Sequence, residues 1–181
     1  MKKILTVCLC AALALSGAAT GESAAPEASQ APEITAAPEA AEMVNPRVEA
    51  EDAGEILERL GIALAAPEGC EAVYTVIGGM TAEATFEWDG VFCTLRAART
   101  QDDISGLFLE MEQPEEMTCE VDGRSLTVTF RAAADQSGYA LYSWFDGQTQ
   151  YCLIVQSDAA QPEASQALLE DVLPGCTQPS E

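Results

Sequence analysis

A chain of 181 residues with 30 Asp and Glu against 8 Lys and Arg has a formal net charge of −22. Nucleic acid and anionic membrane surfaces repel such a chain, so neither is an expected partner. It contains no histidine, which removes Ser-His-Asp and Cys-His nucleophile pairs, an imidazole base near neutral pH and His-ligated zinc.

The first stretch, MKKILTVCLCAALALSGAAT, has a basic tip at Lys2 and Lys3 and then an apolar run from Ile4. At roughly 15 residues the run suits a secretory signal and falls short of the about 20 needed to span a bilayer. Ser16, Gly17 and Ala18 fit cleavage after Ala18, so residues 1–18 are expected to be removed. Leu15-Ser16-Gly17 also opens a lipoprotein processing site, but Ala18 stands where the lipid-bearing cysteine is required. A thioether needs a thiol there, and Cys8 and Cys10 lie inside the apolar run. Export is therefore expected and lipidation is not. The protein is read as secreted or cell-surface associated, with no membrane-spanning segment in the mature chain.

Residues 19–45 repeat Ala-Pro-Glu at 25–27, 31–33 and 37–39. Spaced prolines favour polyproline II geometry and the glutamates repel one another, which describes a solvated, semi-rigid spacer. Both lysines lie in the leader, so the mature chain keeps six arginines as its only side-chain cations: Arg47, Arg59, Arg96, Arg99, Arg124 and Arg131.

The folded domain is expected over 46–176, with 177–181 as a tail. EDAGEILERLGI reads as a short helix, since Ala53, Ile56, Leu57 and Leu60 share a face and Gly61 suits a left-handed stop. From Ala72 the period changes to two. EAVYTVIGG and MTAEATFEWDG pair about Gly78-Gly79, with Ala82, Ala84, Phe86 and Trp88 inward and Glu83, Thr85 and Glu87 toward water. Asp89-Gly90 is a two-residue hairpin turn, and VFCTLRAAR returns from it. LFLEMEQPEE reads as a strand stopped by Pro114. Two further hairpins are expected at Asp122-Gly123 and Asp146-Gly147. QPEASQALLEDVLPG closes the domain as a helix, with Pro162 in its first turn and Ala164, Ala167, Leu168 and Val172 as its apolar stripe. The order describes an α+β fold. A meander sheet of about seven or eight antiparallel strands has neighbours in sequence paired in space, and an N-terminal and a C-terminal helix pack on one face.

The helix ending LGI, the PEG turn, FEWDG and the late SWFDGQTQYCLIV resemble an uncharacterised domain family of exported proteins and lipoproteins of Gram-positive bacteria. The similarity spans most of 47–173. Trp144, Tyr151 and Leu153 match that family's late Trp-x-x-Gly…Tyr-x-Leu strand pair. The resemblance implies an extracytoplasmic module. Its motifs are turns and core aromatics, so it implies no catalytic residue.

Five cysteines follow the leader: Cys70, Cys93, Cys119, Cys152 and Cys176. Their spacings match no zinc ribbon, and an odd number leaves at least one unpaired. Cys93 and Cys152 fall mid-strand and read as small core hydrophobes. The candidate disulfide is Cys70 with Cys176, which flank elements rather than interrupt them. Asp102-Asp103 and EMEQPEE at 110–116 show no calcium-loop pattern. No metal and no cofactor is expected.

Trp88, Tyr142 and Trp144 are candidate ligand-binding residues on a curved sheet, and their spacing equally suits core packing. The expected function is an exported, non-catalytic module that binds a protein, a peptide or a small apolar ligand. A sheet edge that pairs with a partner is one alternative. The other is a carboxylate-based hydrolase, which needs two acids about 5–9 Å apart.

Overall fold

A computed structural model describes residues 46–159 and 162–177, all within the second of the two units into which the chain divides, 42–181. The leader and spacer expected over 1–18 and 19–45, and the tail beyond Thr177, lie outside the described residues.

The elements in chain order are β1 (Arg47–Ala50), α1 (Ala53–Leu60), β2 (Ala72–Ile77), β3 (Thr81–Trp88), β4 (Val91–Ala98), β5 (Glu115–Val121), β6 (Arg124–Ala132), β7 (Tyr139–Phe145), β8 (Gln150–Gln156) and α2 (Gln166–Val172), followed by a 3-10 turn, Leu173–Cys176. They form one eight-stranded antiparallel sheet with a helix near each end of the described region. The first element is a strand and not a helix: β1 pairs with β2, from Arg47↔Ile77 to Ala50↔Tyr74. No helix among the described residues is long and apolar enough to cross a membrane.

The strand order, β1-β2-β3-β4-β8-β7-β6-β5, is not a simple meander. Two four-stranded meanders meet at β4 and β8, and β5 lies at the far edge of the sheet from β1. Local pairing decides each hairpin but carries no information on where the chain goes after β4. The connection 99–114 crosses the sheet instead of turning back. Its late part makes only the bridge Met111↔Ala133, and the regular ladder starts at Glu115↔Phe130 after a one-residue shift in register. LFLEMEQPEE is thus not a strand that Pro114 stops. Proline cannot donate to a ladder, and here it sits in a bulge just before β5.

Two of the expected hairpins have the geometry their residues demand. Asp89 and Gly90 have φ of 48° and 78°, and Asp122 and Gly123 have 49° and 72°, as a two-residue turn requires. The third differs: β7 ends at Phe145 and β8 starts at Gln150, and Asp146 Oδ1 accepts from the Gln148 and Thr149 amides at 2.8 and 2.7 Å. A side chain that closes its own loop replaces the paired positive φ.

One face carries the core. Ala82, Ala84 and Phe86 of β3, Leu95 and Ala97 of β4, and Tyr151 and Leu153 of β8 belong to a single cluster. Ile56 of α1 and Leu168, Leu169 and Val172 of α2 join it. Asp52 caps α1 by accepting from the Glu55 amide, and Gly61 ends it with φ 65°. The second helix starts later than its prolines suggest. Ser165 is the N-cap, accepting from the Leu168 amide, and Leu169 takes the buried place expected of Ala167, which is exposed.

Core tyrosines fasten the irregular segments to the sheet. Tyr151 donates its hydroxyl to Ala63 O at 3.1 Å, the Ala66 amide donates to Tyr74 Oη at 3.2 Å, and the Ser165 amide donates to Tyr142 Oη at 2.8 Å. Each bond satisfies a polar tip that would otherwise cost about 1–3 kcal/mol to bury unpaired.

Candidate functional site

Strands β6 and β7 pair only from Thr129↔Ser143 to Ala132↔Ala140. Beyond Thr129, β6 stays paired with β5 as far as Val121↔Arg124, and β7 with β8 as far as Phe145↔Gln150. The two hairpins therefore diverge, and a cleft of about 380 Å³ opens in the fork. Its apolar lining comes from Val121, Leu126, Trp144, Phe145 and Leu173, and Arg124, Ser125 and Asp146 add polar groups. That size and mixture match a small-molecule pocket, about 300–1,000 Å³ and mostly apolar with a few polar groups.

The sequence explains each wall locally. Trp144 is 4% exposed and lies flat on Tyr151, with centroids 5.3 Å apart and planes at 5°, which keeps the end of β7 on β8. Asp122-Gly123 returns β6 tightly along β5, so Arg124, Ser125 and Leu126 stand where β7 has already departed. Leu173 arrives from the 3-10 turn that ends α2.

Of the three candidate binding residues, only Trp144 lines the fork. Tyr142 is 2% exposed and tilted against Phe130 at 5.0 Å, its phenol made less acidic by burial. Trp88 stands opposite Val91 at the β3–β4 turn, rows away from Trp144 opposite Tyr151. Its indole donates to Asp171 Oδ2 at 2.9 Å, tying β3 to α2. These aromatics share a face without sharing a site. Arg124, Leu126 and Leu173 are cleft residues that pattern reading missed; only the Asp-Gly turn just before Arg124 hinted at its position.

No family model matches this chain. No curated protein and no solved structure matches it either. The resemblance read in FEWDG and SWFDGQTQYCLIV thus rests on those residues alone.

A second polar centre lies on the opposite face. Glu83, expected to face water, is 3% exposed. It accepts from Arg47 Nη2 at 2.6 and 2.8 Å and from Arg96 Nε at 2.7 Å. Arg96 Nη1 also donates to Ser105 O and, at 3.3 Å, to Ile104 O, clamping the 99–114 connection onto the sheet. Alternation alone placed Glu83 outside; the crossing segment then covered it. Register puts Glu83 opposite Arg96 and Arg96 opposite Cys152.

That neighbour does not activate the thiol. Burial pushes Cys152 up to about 12, and the Arg96 charge offsets only part of it. Burial pushes Cys93 to about 12 as well, helped by nearby Cys70, and raises Cys119 and Cys176. A nucleophilic thiol needs the opposite shift. Cys70 and Cys176, the candidate disulfide, are both free thiols here. The Cys176 thiol is turned into α2, donating to Val172 O at 3.6 Å, whereas Cys70 lies near Cys93.

The fork and the β5 edge offer little to the two alternative functions. The fork has one lining carboxylate, Asp146, and its Oδ1 closes its own turn. The edge strand β5 exposes Glu115, Glu116 and Glu120, and charge on an edge discourages strand addition.

Proposed function

We propose that this chain is an exported binding module that takes a small, mostly apolar ligand in the fork between the β5–β6 and β7–β8 hairpins. One observation carries the reading: β6 and β7 stop pairing at Thr129↔Ser143 while each keeps its outer partner. The cleft is then a product of strand topology, not a gap between side chains. In this reading the two helices close one face of the sheet and leave the fork end open beside Leu173. Export rests on the leader read from Lys2 to Ala18.

Native mass spectrometry of the protein secreted by its own host tests this. A small apolar adduct is expected on the unaltered chain and not on Ser125→Phe, which fills the fork. An adduct that survives Ser125→Phe, or no adduct together with no response of Trp144 fluorescence to apolar probes, overturns the reading.

A further inference from the structure

We propose that the ligand of the fork is an apolar body ending in a single carboxylate, with Arg124 as its counter-ion. This rests on the reading of the fork as a binding cleft and adds the ligand's chemical class.

Four of the six arginines have side-chain partners. Arg47 and Arg96 close on Glu83, Arg59 pairs with Glu55 at 3.1 Å, and Arg99 donates to Gly61 O at 2.9 Å. The Arg124 and Arg131 side chains make no ion pair or hydrogen bond among the described residues, and of the six arginines Arg124 alone lines the fork. Asp146, the other ionised group there, makes no ion pair with it and holds two amides of its own turn. A guanidinium beside Leu126 and Trp144 presents paired N–H donors at the rim of an apolar wall. That arrangement suits a carboxylate, which accepts two parallel bonds.

The rest of the molecule narrows the class. A chain of net charge −22 repels anions from every side, so charge alone draws none to the fork. An anion bound there must bring apolar area to bury. One arginine balances one negative charge; a phosphate carries nearly two and meets twice the repulsion. An apolar monocarboxylate satisfies both conditions.

The test uses the full chain carrying Trp88→Phe, so that Trp144 is its only tryptophan. Decanoate and decanol, which share an apolar body and differ in charge, are titrated at low salt near neutral pH. Decanoate is expected to bind about tenfold tighter than decanol. Arg124→Gln should remove that preference and move decanol by less than about twofold. Arg124→Lys, which keeps the charge but not the paired donors, should retain part of it. Arg131→Gln, at an exposed site away from the fork, should leave the preference unchanged. An equal preference in Arg124→Gln, or none in the parent chain, overturns the carboxylate assignment and leaves the cleft standing. No response of Trp144 to either compound overturns the cleft itself.

Discussion

At Glu83, two guanidinium groups close on one carboxylate that is 3% exposed, whereas in the other half of the sheet Arg124 faces an apolar cleft with no ion pair among the described residues. The same residue type thus serves two ends. A charge taken out of water is tolerable only when its partners are complete, and then it locks what it touches, here the 99–114 connection. A charge left at a rim keeps its water and fixes nothing in the fold, so it is free to meet a ligand.

The largest expected effect concerns two buried thiols, Cys152 beside the clamp and Cys93 in the core on the other face. Unfolded thiols lose their proton near pH 8.5, while Cys93 and Cys152 hold theirs up to about 12. Between those values the native state binds more protons, so stability is full below about pH 8.5 and falls as pH rises toward 12. Unfolding free energies from urea titrations at pH 8, 9.5 and 11 should fall steadily, by several kcal/mol in all. A flat profile would mean that water reaches these thiols.

Glu83→Gln comes next, because it strands two arginines. Breaking a buried pair costs about 3–5 kcal/mol, and the half-exposed Arg47 brings the expectation to about 3 by chemical denaturation. A loss below about 1 kcal/mol would make the clamp an ordinary surface pair. Arg96→Ala should cost about 2 kcal/mol, from its charged hydrogen bonds. Its distinctive mark is faster amide exchange across Ile104–Gly106, with the fork unchanged. The smallest effect belongs to the fork. Leu95→Ala, at 0% exposure, should cost about 3 kcal/mol, but Leu126→Ala only about 1, since its side chain lines an opening. Equal costs would mean that the fork is packed shut.

Parts of this were legible in the chain. Asp89-Gly90 and Asp122-Gly123 act within four residues, where the need for positive φ overrides everything distant, and both turns form as read. The alternation of Ala82, Ala84 and Phe86 likewise places them in the core. Glu83 sits in that same alternation, yet it is buried, because whether the far face meets water depends on a segment crossing it about 20 residues later in the chain. Asp146-Gly147 resembled the other turns, yet the Asp146 side chain took the amides and lengthened the loop. Trp88, Tyr142 and Trp144 all pack on the core face, but period-two patterning names a face and not a row along it, so it does not separate Trp144 in the fork from the other two.

The amino-acid sequence by itself determined the strands, their turns, the acidic and histidine-free chemistry, and the expectation of export, because each depends on local backbone preference or on counting. Tertiary structure alone decided that β8 rather than β5 lies beside β4, that Glu83 is enclosed, and that β6 and β7 part beside Arg124. Those outcomes balance long-range pairing and desolvation across the whole sheet, and no short window of residues contains both sides of that balance.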